Sequence, residues 1–269
     1  MLYLRQDFQS AWKGEDPFEK VEQLEGEVFR QLEARKTLQF AQDGKSYFVK
    51  IHRGVGWKEI IDNLIRLRKP VLGAENEYLA IKKLESLGID TMTAVAYGKK
   101  GSNPAKQKSF IVTEDLIDTI SLEDLCETWP DNPPPFRLKK NLIEKVADVS
   151  RLLHNNGVNH RDYYICHFLL KIPNGIEKID PENFHVHLID LHRSQIRETT
   201  PKRWIKKDIA GIYFSALDIG LTQRDILRFI KIYTGLPLKQ ALSDFNWLWE
   251  GLQKKADKLY TRQQRKAGM

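Results

Sequence analysis

The sequence predicts an α+β fold in two unequal lobes, the first rich in strands and the second mostly helical. Three observations carry this. Short β-branched and aromatic runs with a two-residue period fall before Thr113, longer stretches with helical spacing follow Asp131 to Pro135, and Thr113 to Leu122 joins the two regimes. The chain has 269 residues, enough for one large domain or two lobes around a cleft. A hydrophobic content of 41% and an aromatic content of 10% support a core and exclude a disordered protein.

The strand signals begin between Glu19 and Lys50. GEVFRQL alternates loosely, and TLQF leads into Ala41-Gln42-Asp43-Gly44, an Asp-Gly turn that suits a hairpin. KSYFVKIH then places Tyr47, Val49 and Ile51 on one face and Phe48, Lys50 and His52 on the other. Taken alone, Lys50 reads as an edge-strand lysine with a solvated head. Trp57 to Lys69 has helical spacing, with Ile60, Ile61, Leu64, Ile65 and Leu67 as its apolar side and Lys58, Arg66, Arg68 and Lys69 at its ends. Pro70 stops it. Leu72 to Leu87 reads as a second helix closed by Gly88, with Glu75 and Glu77 in its first turns, where carboxylates suit the helix dipole. Thr93 to Tyr97 and Ser109 to Thr113 are further strands.

Past Glu114-Asp115-Leu116, Ser121 is an N-cap followed by acidic residues. Asp131 to Pro135 is the clearest break, and the helix after it carries the stripe Leu142, Val146, Val149 and Leu153. That helix runs into Gly157, the charged turn His160-Arg161-Asp162 and the apolar pair Leu169-Leu170. Charges at the edge of a core must pair, or one of them must have a task. In HVHLIDLH, Val186, Leu188 and Asp190 share one side, so an aspartate ends an apolar strand and needs a cation. From Lys206 the pattern is helical, in DIAGIYFSALDIG, RDILRFIKIY and Asp244 to Lys266.

The net charge of +7 is uneven: residues 197–269 carry 15 Lys/Arg against 7 Asp/Glu, and the preceding 196 carry 28 against 29. Such a basic quarter suits nucleic acid, an anionic membrane or a phosphorylated ligand, or is a solvated helical surface. No aromatic-plus-basic strand motif supports nucleic acid. The N-terminus lacks the apolar run of a secretory signal, and no stretch approaches the roughly 20 apolar residues that span a bilayer. Two cysteines, Cys126 and Cys166, are too few for a disulfide framework and fit a reducing compartment. The expectation is a cytoplasmic protein without nucleic acid.

Lys50, a helix glutamate at Glu75 or Glu77, His160-Arg161-Asp162 and Asp190 stand in the order of parts of a protein-kinase-like phosphotransferase. There the lysine neutralises nucleotide phosphates and the glutamate holds the lysine. The loop aspartate orients the acceptor hydroxyl and takes its proton, and the strand-end aspartate holds magnesium. HNNGVNHRDYYICHFLL resembles the kinase catalytic loop, with departures. His167 stands where that loop has asparagine, which leaves it three roles: a phosphate contact, a partner for Asp190, or a sign of a site with one well-held metal. Asp190-Leu191-His192 replaces Asp-Phe-Gly, and no glycine-rich loop precedes Lys50, only Gly26.

With these departures the chain resembles the lipopolysaccharide core heptose(I) kinases of Gram-negative bacteria, to which the Kdo kinases are a sister group. DPFEKVEQLEGEVFRQLEARKTLQF, KSYFVKIHRG, KEIIDNLIRLRKPVLGAENE, DTMTAVAYG, SFIVTEDL, NHRDYYICHFLL, IDLHRSQIR and TPKRWIKKDIAGIYFSALDIGLTQRD carry the resemblance, from about Asp16 to Asp225. It implies a two-lobed protein-kinase-like fold, with residues 1–115 as N-lobe and 116–269 as C-lobe of one kinase-like domain. It implies ATP and Mg2+ as cofactors and a lipid-linked heptosylated core oligosaccharide as acceptor. It also implies peripheral work at the cytoplasmic face of the inner membrane, with an acidic acyl-carrier protein as a candidate partner. Asp162, with Arg161 and His160, is then catalytic. Lys50, Glu77, Glu114, Leu116 and His167 bind the nucleotide, and Asp190 holds the metal. Glu77 is preferred to Glu75 because it directly precedes Tyr78. The cations expected to meet the anionic acceptor are Lys202, Arg203, Lys206 and Lys207, with Arg66, Arg68 and Lys69 as a second cluster.

Two other classes compete. A metal-binding protein would draw on His160, Cys166, His167, His185, His187 and His192, whose spacings match no zinc pattern. A catalytically weak pseudokinase or scaffold is suggested by His167 and the missing Asp-Phe-Gly.

Overall fold

The computed structural model describes residues 1–32, 34–66 and 70–267, with side chains described as far as Thr261. The chain divides into two compact units. The first holds Met1–Glu85, Met92–Leu116 and Leu191–Arg193; the second holds Ser86–Thr91, Ile117–Asp190 and the residues from Ser194 onward.

The first unit contains β1 (Leu2–Leu4), α1 (Gln6–Ala11), α2 (Pro17–Gln23), β2 (Glu27–Leu32), β3 (Arg35–Gln42), β4 (Lys45–His52), α3 (Gly56–Ile65), most of α4 (Glu75–Ser86), β5 (Ala94–Lys100) and β6 (Lys108–Glu114). Its strands form one antiparallel sheet in the order β1-β5-β6-β4-β3-β2. Asp43 and Gly44 close the β3–β4 hairpin with φ of 51° and 73°, the left-handed pair that a two-residue turn of matching twist requires. Tyr47, Val49 and Ile51 are buried against Phe8, Trp12 and Val21 of the first two helices, so the expected face of β4 is the core face. Because β4 lies between β3 and β6, Lys50 sits on an interior strand and not on an edge.

Two helices differ from expectation. The span predicted for Trp57 to Lys69 is α3 over Gly56–Ile65, and Leu67, Arg68 and Lys69 lie outside the described residues. Its buried side is narrower than the sequence suggests. Ile60 packs with Val55, Ala105 and Leu72, while Trp57, Ile61, Leu64 and Ile65 are exposed. The helix predicted from Leu72 starts at Glu75 because Ser109 of β6 caps it from across the chain, its Oγ accepting from Ala74 N at 3.0 Å. Gly73 permits that approach, since a Cβ there would lie 2.1 Å from the same oxygen.

The second unit contains β7 (Thr119–Ser121), α5 (Leu122–Cys126), α6 (Phe136–Asn155), β8 (Val158–Asn159), β9 (Phe168–Lys171), β10 (Val186–Leu188), β11 (Gln195–Ile196), α7 (Lys202–Ser215), α8 (Gln223–Thr234), α9 (Leu238–Asp244), α10 (Asn246–Trp249) and α11 (Leu252–Ala267). Ser121 caps α5 as read, accepting from Asp124 N at 3.0 Å. The stripe Leu142, Val146, Val149 and Leu153 of α6 is buried. Helix α8 opens on a capping box of Thr222 and Asp225 and ends at left-handed Gly235. The helical span expected from Asp244 to Lys266 breaks at Glu250-Gly251, where Gly251 has φ 72°. An antiparallel sheet in one unit and helices with two small sheets in the other make this an α+β chain. Among the described residues no helix is long and apolar enough to cross a membrane.

Candidate active site

In the first unit, Lys50 projects from the middle of β4 with its Nζ 2.7 Å from Glu77 Oε1. Glu77, in the first turn of α4, has 1% side-chain exposure, against 29% for Lys50. A carboxylate so enclosed demands a cation, and removing Lys50 would leave a buried charge unpaired. Glu75 turns to Lys99 at 2.7 Å instead. Tyr78 stacks on Tyr97 at 4.2 Å, which holds this turn of α4 against the sheet. His52 follows on the same face of β4, and burial, reinforced by Arg35 and Lys50, pushes its pKa down to about 3. The carboxylate of Glu114 is engaged by Arg5 at 2.6 Å, and Leu116 is half-buried.

In the second unit, α6 ends in left-handed Gly157, where a Cβ would meet Arg197 O at 1.7 Å, so only glycine fits. The charged turn follows β8 and is pinned from α7. Asp208, 1% exposed, accepts from His160 N at 2.7 Å and from Arg161 N at 2.9 Å. Arg161 has φ 77°, a conformation that costs a non-glycine residue about 1–3 kcal/mol. Two charge-assisted hydrogen bonds at this point offset that strain. The Arg161 guanidinium lies over the Trp204 ring at 5.3 Å.

The ring of His160 is buried and donates from Nε2 to Ile189 O at 2.9 Å. Burial lowers its pKa, so the neutral ring links the turn to the residue before Asp190. Asp190 is itself left-handed, with φ 61°. His167 donates from Nδ1 to Asp162 O at 2.7 Å and places Nε2 3.5 Å from Asp190 Oδ2. His160, Arg161, Asp162, His167 and Asp190 therefore come together within the second unit. His167 thus lies beside Asp190, in line with one of the roles left open for it.

Asp208 was missed in the sequence. Its signal is a carboxylate on the apolar stripe Ile205, Ile209 and Ile212, where only a committed hydrogen-bonding role justifies burial.

Among the described residues no three His, Cys, Asp or Glu side chains converge as a metal cage. Asp190 offers carboxylate oxygen beside His167, a poor donor for Mg2+. An ion that takes one carboxylate and completes its shell with substrate phosphates and water fits this set. Of the histidines of the competing zinc reading, His185 pairs with Asp90 at 3.1 Å. Burial pushes the Cys126 and Cys166 thiols up to about 12 and about 11, away from thiolate chemistry.

The model of the lipopolysaccharide kinase (Kdo/WaaP) family matches residues 19–233. The chain belongs to that family. It is 53% identical over 264 residues to the lipopolysaccharide core heptose(I) kinase WaaP of Pseudomonas aeruginosa, covering 98% of this chain and 97% of that one. To the protein of the same name from Escherichia coli K12 it is 51% identical over 267 residues, 99% of each. A solved structure of WaaP in complex with acyl carrier protein superposes with a TM-score of 0.85 at 49% identity, covering 97% of this chain and 99% of that one. A member of this kinase family is a phosphotransferase with an alcohol acceptor and uses ATP.

Proposed function

We propose that the chain transfers the γ-phosphoryl group of ATP to a hydroxyl of the first heptose of a lipid-linked core oligosaccharide. The observation that carries the reading is the turn His160-Arg161-Asp162, whose backbone is pinned by buried Asp208 with Arg161 in a strained left-handed form. Asp162 orients the acceptor hydroxyl and takes its proton as the phosphorus–oxygen bond forms. Lys50, kept extended by Glu77, meets nucleotide phosphate oxygens, and Glu114 and Leu116 border the nucleotide. Arg161 and His160 position the loop, and His167 aligns Asp162 with Asp190. Asp190 would hold Mg2+, which supplies neutralisation of phosphate charge when bound. Residues 1–115 and 116–269 act as the N-lobe and C-lobe of one kinase-like domain.

Two further features support a reading of the partner and of the place of work. An apolar cavity of about 280 Å³ lies in the second unit, lined among others by Leu122, Trp129, Leu142, Ile209, Phe229 and Trp249. With a solved relative in complex with acyl carrier protein, we assign this cavity to the acyl chain of such a carrier. The exposed apolar residues of α3 support a second reading, that the protein works peripherally at the cytoplasmic face of the inner membrane, where such an acceptor is anchored.

The test is phosphate transfer to heptosylated lipid A acceptor by Asp162→Ala and Asp162→Asn. Losing a general base lowers kcat by about 10²–10⁴-fold. Near-normal transfer by either purified, folded variant would overturn the assignment.

A further inference from the structure

Beside the pinned turn, the second unit carries a separate cavity of about 210 Å³ whose lining includes Arg161, Tyr164, Lys207, Gly211, Lys255 and Lys258, four cations and no carboxylate. Its walls are the turn itself, α7 and α11. Gly211 lets α7 approach the turn, since a Cβ there would lie 2.6 Å from Tyr163 O, and Lys207 Nζ donates to Arg161 O.

Further donors stand nearby. Arg161, Arg203 and Lys207 lie 5.3, 5.3 and 5.7 Å from the Trp204 ring, whose buried Nε1–H has no acceptor among the described residues. Burial and the nearby Lys206 push the pKa of Lys255 down. Burial and Arg203 do the same to Arg197, whose side-chain partners are the neutral amides of Asn159 and Gln195. The acidic residues of the two helices are committed elsewhere: Asp208 to the turn, and Asp257 to Gln253 at 2.8 Å. Lys255 and Lys258 put positive charge on a partly desolvated concave wall that no carboxylate lines, and such a wall favours a bound anion.

We propose that this cavity is a binding subsite for an oxyanion carried by the acceptor, a sugar-acid carboxylate or a phosphate monoester, held by Lys207, Lys255 and Lys258 so that the target hydroxyl lies beside Asp162. The proposal rests on the reading of the chain as a kinase of an anionic, lipid-linked sugar. A carrier protein's acidic helix is the other anionic partner to consider. It would meet exposed lysines on a convex surface, whereas this cavity is concave and reaches buried Arg161, next to Asp162 in the chain.

The test is Lys255→Gln/Lys258→Gln, compared with wild type by steady-state kinetics after both have matched melting temperatures. Loss of charge-assisted contacts to the acceptor raises its KM by about tenfold or more, with the KM for ATP unmoved. The comparison is repeated on acceptor stripped of its phosphates and on acceptor with its sugar-acid carboxylates amidated. The gap between wild type and variant closes on the form that lacks the recognised group, which names the source of the oxyanion. A gap that persists on both forms, an unchanged acceptor KM, or loss of carrier-protein association with the acceptor KM intact would each overturn the subsite. Calorimetry with inorganic pyrophosphate, in the presence of a saturating non-hydrolysable ATP analogue, separates the subsite from the functional reading. Binding that the variant loses supports the subsite even if wild type transfers nothing to a heptose; equal binding by both proteins counts against it.

Discussion

His52 lies two residues beyond Lys50 on the same face of β4, with its pKa held at about 3 by burial and by the charges of Arg35 and Lys50. In the unfolded chain a histidine takes up a proton near pH 6.5. Below that pH the unfolded state therefore binds more protons than the folded state, so stability present above about pH 6.5 is lost as the pH falls toward 3. By this linkage His52 removes about 2 kcal/mol between pH 7 and pH 5. Buried His160 acts in the same direction. Denaturant unfolding of wild type and His52→Gln at both pH values measures the effect. The variant is expected to lose about 2 kcal/mol less than wild type across the interval; an equal loss would place the acid sensitivity elsewhere.

Among the elements, α7 has the largest influence on the site, because one carboxylate on its buried side holds the turn that carries Asp162. Asp208→Asn keeps one oxygen acceptor but turns an NH2 group toward a backbone N–H. An unsatisfied buried donor costs about 1–3 kcal/mol. Arg161 would then relax from its left-handed conformation, and a shift of about 1 Å at Asp162 is enough to slow the chemistry by about 10²-fold. The expected result is that fall in kcat with the KM for ATP unmoved; an unaffected kcat would show that other contacts suffice to hold the turn. Features set within a few residues were legible in the sequence: the Asp43-Gly44 hairpin, the Ser121 cap and the stripe of α6. The site residues also left a local trace, since Lys50, Asp162 and Asp190 each interrupt or adjoin an apolar run. What was not legible depends on distant partners. Ser109 sets the start of α4 from 35 residues away, and Asp208 reaches back 48 and 47 residues to the turn. Whether β4 was interior or edge, and how much of α3 faced inward, followed from neighbours that no local pattern identifies.

At the scale of the whole molecule, the basic excess and the α3 run of exposed apolar residues belong to different units. The basic excess lies in residues 197–269, while a coherent apolar surface lies on α3, where Trp57, Ile61, Leu64 and Ile65 are 54%, 49%, 57% and 75% exposed. Their spacing puts them on one face of a helix that also carries Lys58 and ends at Arg66. Such a face suits burial in a membrane interface, which vesicle binding tests. Full burial of such side chains contributes about 1.5–3 kcal/mol each, and each flanking cation adds about 1 kcal/mol near an anionic leaflet. The two contributions separate by salt, because screening weakens the second and leaves the first. Co-sedimentation with anionic phospholipid vesicles should therefore show a salt-sensitive component and a salt-resistant one. Ile61→Glu/Ile65→Glu is expected to remove the salt-resistant part, lowering affinity by at least about tenfold at high salt. Lys202→Glu/Arg203→Glu should lower binding at low salt alone. Vesicle binding that survives the α3 substitutions at every salt concentration would exclude α3 as the membrane contact and leave electrostatic attraction as the means of reaching the acceptor.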